Sequence, residues 1–161
     1  MSKITPCLWF EGQAEEAANF YVSIFENSKI GTIAQYDENA ARASGRPAGS
    51  VMIVTFELDG QKFMGLNGGP QFKFTEATSF VVNCKTQGEV DRFWHKLSAG
   101  GSEGPCGWLK DKYGLSWQIV PDVLGQMIGD KDVQKSKRVM AALLQMKKID
   151  IATLKRAYEQ A

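Results

Sequence analysis

The chain has 161 residues, 43% hydrophobic and 23% charged, with 19 Lys and Arg against 18 Asp and Glu, for a net charge of +1. That balance excludes a disordered chain, which needs low hydrophobicity and high net charge, and excludes strong global steering of charged partners. No run of about 20 apolar residues is present to span a bilayer.

Residues 4–10 read as a short apolar strand ended by Glu11-Gly12. A helix follows, because Ala17, Phe20, Tyr21, Ile24 and Phe25 recur at helical spacing on one face. Asn27-Ser28 stops it, and residues 29–37 read as a strand. Residues 38–50 are small and polar, which predicts a mobile loop. Residues 50–58 and 61–66 form a strand pair around the hairpin signal Asp59-Gly60, and Asn67-Gly68-Gly69-Pro70 closes this half.

The second half opens with a strand at 79–84. Thr86 and Glu89 have capping-box spacing before a helix whose apolar face is Val90, Phe93, Trp94 and Leu97. Gly100-Gly101 ends it, strand candidates follow at 108–112 and 115–120 around Tyr113-Gly114, and Pro121 closes the half. Residues 132–148 read as a helix with Val139, Met140, Leu143, Leu144 and Met146 on its apolar side. Asp150 caps a last short helix carrying Ile151, Leu154 and Tyr158.

A displacement of 73 residues aligns Glu16, Ala17, Phe20, Tyr21 and Ile24 with Glu89, Val90, Phe93, Trp94 and Leu97. Each helix follows a strand and precedes further strands, and each half ends in a hairpin and a proline. A single such half cannot bury both faces of its sheet. The expected fold is therefore α+β: two paired βαβββ modules forming a curved mixed sheet around a cleft, plus C-terminal helices. Module one spans 1–70 and module two 76–121, within a domain of residues 1–130, and residues 131–161 form a helical extension. Residues 1–130 hold 11 basic and 15 acidic groups, whereas 131–161 hold 8 and 3. A basic amphipathic tail can bind membranes or nucleic acid. Its surplus is small, so neither is expected; the stripe is expected to pack on the body or on a second subunit.

Three segments carry a resemblance to a known family. They are Leu8-Trp9-Phe10 with Ala14-Glu15-Glu16-Ala17 and Phe20-Tyr21; Gly65-Leu66-Asn67-Gly68-Gly69-Pro70; and the run Cys106-Gly107-Trp108-Leu109-Lys110-Asp111-Lys112-Tyr113-Gly114-Leu115-Ser116-Trp117-Gln118-Ile119-Val120-Pro121. The tail motif Met146-Lys147-Lys148-Ile149-Asp150-Ile151-Ala152 agrees with them. The chain resembles the PhnB-like branch, labelled 3-demethylubiquinone-9 3-methyltransferase, of the glyoxalase/bleomycin-resistance/extradiol-dioxygenase (vicinal oxygen chelate) superfamily. The resemblance implies a homodimer.

It also implies four metal-ligand positions, usually His and Glu, on the first and last strand of each module. Here they fall on Pro6 (or Cys7 with a one-residue slip), Met64, Ser79 and Gln118. Such a set does not make a divalent site, because hard cations need carboxylates and zinc or iron needs imidazole, thiolate or carboxylate. The single histidine, His95, reads as a surface helix residue. No metal and no cofactor is expected. Methyl transfer finds no motif: Gly65-Leu66-Asn67-Gly68-Gly69 is followed by Pro70 rather than a helix, and reads as a turn.

Cys7, Cys84 and Cys106 lack CxxC spacing and read as reduced thiols. With an N-terminus that lacks the charged start and apolar core of a signal peptide, they predict a cytoplasmic protein. Cys7 and Cys84 read as packed. Cys106, near Lys110 and Lys112, and Gln118 are the catalytic candidates, with a structural role for Cys106 as the alternative. Trp9, Phe63, Asn67, Trp108, Trp117 and Gln118 are the candidate ligand-binding residues, since aromatics and an amide in a concave sheet suit a small flat or apolar molecule; core packing is the alternative for the tryptophans. The function expected is metal-independent binding of a small organic ligand. The alternatives are an enzyme using metal or thiol chemistry, or the methyltransferase of the family label.

Overall fold

The computed structural model describes residues 2–160. The chain divides into two compact units, Met1–Phe74 and Thr75–Ala161. The first contains β1 (Cys7–Phe10), α1 (Ala14–Ile24), β2 (Lys29–Gln35), α2 (Glu38–Ser44), β3 (Val51–Leu58) and β4 (Gln61–Asn67). The second contains β5 (Ser79–Cys84), α3 (Gln87–Ser98), β6 (Ser102–Glu103), β7 (Trp108–Lys110) and β8 (Ser116–Pro121), then α4 (Asp122–Ile128), α5 (Val133–Leu143) and α6 (Ile151–Glu159). No described helix is long and apolar enough to cross a membrane.

Each unit holds a four-stranded mixed sheet, ordered β1-β4-β3-β2 and β5-β8-β7-β6. In both, the first strand runs parallel to the last and the others are antiparallel. The repeat inferred from the two helices is thus a repeat of topology. The second strand of module two, β6, has two residues, too few for any alternation to show.

Alternation decides which face each strand covers. In unit one, Leu8, Phe10, Val54, Phe56 and Phe63 are buried with Ala14, Ala17, Ala18, Tyr21 and Ile24 of α1. Asp59 and Gly60 both take positive φ (47° and 76°), the pairing a two-residue type I′ hairpin needs. The N-terminus of α1 receives no cap from Gln13. Asn67 supplies it instead: its Oδ1 accepts the Ala14 N–H at 2.8 Å, its Nδ2 donates to the Val51 carbonyl, and its own carbonyl accepts the Tyr36 hydroxyl.

Two expectations for unit one are corrected. Residues 38–50 are not wholly a loop, because α2 occupies Glu38–Ser44. Asp37 Oδ1 caps it on Ala40 N at 2.7 Å, and Gly45 ends it at φ 72°. None of its residues is buried, so no apolar stripe announces it. Cys7 is exposed rather than packed, since Leu8 and Phe10 take the α1 side of β1.

In unit two, Val82, Cys84, Leu109, Trp117 and Ile119 are buried with Val90, Phe93, Trp94 and Leu97 of α3. The capping pair forms with its return bond displaced by one residue: Thr86 Oγ1 accepts from Glu89 N, and Glu89 Oε2 accepts from Lys85 N, just before the N-cap, at 2.6 Å. The tail is part of this unit. Leu124, Met127, Val139, Leu143, Ile149 and Leu154 form its core, with Cys106 and Val120 packed against it. The predicted helix over 132–148 stops at Leu143, because the chain then turns to run beside residues 106 and 107. Cys106 N donates to Met146 O at 2.8 Å and Gly107 N to Lys147 O at 2.7 Å. Met140 and Leu144, expected on the packed side, are 37% and 60% exposed. The short helix α4 directly after Pro121 was not evident in the sequence, since seven residues carry only two buried apolar positions.

Candidate functional site

The pleat of module two puts Ser79, Ser116 and Lys110 in one cross-strand row and Val81, Gln118 and Trp108 in the next, on the face opposite the buried Phe93 and Leu97 side. Beside these rows lies a concavity of about 520 Å³, lined by Glu76, Pro105, Trp108, Lys110 and Ser116 among others. Its volume is in the range of small-molecule sites.

Lys110 Nζ forms an ion pair with the carboxylate of Glu76. The hydrogen bond from Lys110 holds the Glu76 carboxyl below the ordinary carboxylate range. Ser116 is 1% exposed, and its hydroxyl has no hydrogen-bond partner among the described residues. Gln118 Nε2 donates to Ser79 Oγ at 2.9 Å.

Asp111 explains why the run from Trp108 to Gln118 is so distinctive. The residue is buried, and its Oδ1 accepts from Tyr113 N at 2.8 Å and Leu115 N at 3.1 Å. Its Oδ2 accepts from Trp117 Nε1 at 2.9 Å. The carboxylate therefore shapes the β7–β8 turn and pins the tryptophan beneath it, which is a folding role.

The predicted residues divide accordingly. Trp108 and Gln118 share the open face with Lys110 and Ser116. Trp117 is on the opposite, α3-facing side of β8, bound to Asp111. Phe63 is buried in unit one, stacked on Phe56 at 5.4 Å and 12°. Asn67 is spent on the α1 cap and its neighbours. Trp9 lies on the face of β1 opposite Leu8 and Phe10, its indole N–H donating to Gly69 O and its ring edge-on to Phe72. A Cβ on Gly68 would sit 2.1 Å from that ring, so the glycine turn serves Trp9 packing.

Cys106 turns its thiol toward the tail, with Sγ 3.6 Å from Leu143 O. Cys84 is fully buried, and burial, then Glu89 and Asp122, push its thiol up to about 12. His95 is exposed on α3. Glu76 and Ser116 escaped the sequence reading. Ser116 could have been found from its alternation with Gln118; Glu76, in an irregular stretch, could not.

The side chains at the four positions where the resemblance implies metal ligands, two in each unit, are poor metal donors. Gln118 donates to Ser79, and Pro6 and Met64 are joined through backbone atoms, Met64 N to Pro6 O at 2.9 Å. An alcohol, an amide and a thioether offer no imidazole or carboxylate for a divalent ion. Among the described residues, no three His, Cys, Asp or Glu side chains group to hold one.

Comparison with known proteins agrees with this fold. A PhnB protein from Bacillus cereus is 42% identical, over 74% of this chain and 99% of that one, with a TM-score of 0.64. Protein PA1353 from Pseudomonas aeruginosa is 19% identical, over 75% and 98%, with a TM-score of 0.60. The fosfomycin resistance protein FosX from Listeria monocytogenes is 13% identical, over 78% and 97%, with a TM-score of 0.52; these last two likenesses concern the fold alone. No curated protein matches by sequence. The profile of 3-demethylubiquinone-9 3-methyltransferase matches residues 2–120, leaving α4–α6 outside it. The chain therefore belongs to the 3-demethylubiquinone-9 3-methyltransferase family.

Proposed function

We propose that this chain binds a small organic ligand at the second module, without a metal in the binding step, and does so as a homodimer. The observation that carries the reading is the concavity beside Trp108, Lys110 and Ser116, which joins an aromatic wall to a cation and a buried hydroxyl. Pockets of this build hold ligands by apolar contact and orient them by a few polar groups. The donor set at Pro6, Met64, Ser79 and Gln118 supports the metal-free step.

The experiment is a tryptophan-fluorescence screen of small organic compounds on chelator-treated protein, repeated with Trp108→Leu. The reading expects saturable binders whose affinity is unchanged by chelator and falls in the variant. Binding that requires an added divalent metal would overturn it. Calorimetry with S-adenosylmethionine tests the activity named in the family description, and sedimentation velocity tests the dimer.

A further inference from the structure

We propose that the ligand of this concavity is a carboxylate with a flat apolar body, and that Glu76 is the chain's own stand-in for that carboxylate. The inference rests on the ligand-binding reading above and narrows it.

Lys110 and Ser116 are register partners on neighbouring antiparallel strands, so their side chains leave the same face side by side. One offers an ammonium and the other a hydroxyl. The ammonium is already engaged by a carboxylate, from Glu76. That side chain belongs to an irregular stretch and is 62% exposed, so it can swing into water at small cost. The hydroxyl is buried without a partner among the described residues, and such a group costs free energy until something bonds it. A ligand carboxylate answers both conditions: one oxygen replaces Glu76 on Lys110 and the other accepts the Ser116 hydrogen. A neutral polar group would satisfy Ser116 but would have no means of displacing Glu76. The Trp108 ring then covers the apolar part of the ligand.

This geometry makes an unusual prediction: removing a charge that lines the site strengthens binding. The Glu76–Lys110 pair is largely exposed, and pairs of that kind are weak, so Glu76→Gln should bind a carboxylate about two- to five-fold tighter. Lys110→Met removes a charge-assisted bond and should bind it about ten-fold or more weakly.

The test titrates the full-length protein with phenylacetate and with its neutral analogue phenylacetamide, followed by amide and indole chemical shifts. The expected result is saturable shifts at Trp108, Lys110 and Ser116 with the acid, weakened by salt, and tighter binding in Glu76→Gln. Equal or better binding of the amide, or weaker acid binding in Glu76→Gln, overturns the carboxylate inference while leaving a small-molecule site in place. Shifts at none of these residues with either probe overturn the carboxylate inference and the ligand reading together. Glu76→Gln alters an exposed side chain in an irregular stretch, so its folding is not in question.

Discussion

Asp111 and Trp117 allow a thermodynamic cycle whose sign and size come from the geometry. Asp111→Asn keeps one oxygen to accept from Tyr113 N and Leu115 N, but it turns an amide N–H₂ toward the Trp117 indole N–H, 2.9 Å from Oδ2. Two donors then face each other in a site where both residues are buried. The loss of a charge-assisted bond and the stranding of the indole should cost about 2–4 kcal/mol together. Trp117→Phe removes the other partner and some packing, at about 1–3 kcal/mol. In the double variant no indole N–H remains to be opposed, so the combined loss should fall short of the sum by about 1–3 kcal/mol. Urea unfolding followed by circular dichroism measures all four corners without depending on tryptophan emission. A coupling below about 0.5 kcal/mol, the additivity expected of independent sites, would refute the argument that this bond organises the β7–β8 turn.

Gly107→Ala should destabilise by about 2–4 kcal/mol, because φ is +83° and the new Cβ would lie 2.8 Å from Ile149 Cδ1 and 2.9 Å from Ile119 O. Gly114→Ala, at φ +86° with open space around it, should cost only the backbone share of about 1–2 kcal/mol; equal losses in urea melts would sink the steric argument. Cys84 should resist iodoacetamide at pH 8 until the protein unfolds, while the exposed Cys7 is modified in the native state, as peptide mapping would show. The Cys84 thiol is raised to about 12 in the folded chain, so above about pH 8.5 the unfolded chain binds fewer protons. Stability should then fall as pH rises toward 12, more steeply than in Cys84→Val. In acid the sign reverses. Lys148 and then Gln87 hold Asp91 low, Tyr158 holds Asp130 low and Thr153 holds Asp150 low, so the stability these groups contribute is lost as pH falls through their lowered values. All three carboxylates bond residues of the tail or of α3 beneath it, and pepsin at pH 2 should therefore cut within α5 and α6 before it cuts β5 or β8.

The sequence by itself determined the two modules. A strand or helix that buries one face must repeat its apolar residues at the period of its backbone. Ala17, Tyr21 and Ile24 therefore betray α1, and Val90, Phe93 and Leu97 betray α3, before any neighbour is known. Turn chemistry is equally local, which is why Asp59-Gly60 and the Thr86–Glu89 box could be read directly. Where an element buries nothing, as in α2, or is too short to show a period, as in β6 and α4, that signal is absent. The candidate site was legible only in part. Alternation along β8 separates Gln118 from Trp117, but it does not say which face α3 covers. Tertiary structure alone decided that Trp117, Phe63 and Asn67 are committed to the fold, that Cys106 faces the tail, and that Glu76 meets Lys110 across 34 positions of chain. Such pairings depend on where separate segments are brought together in space, and no local period of one strand or helix records the position of another.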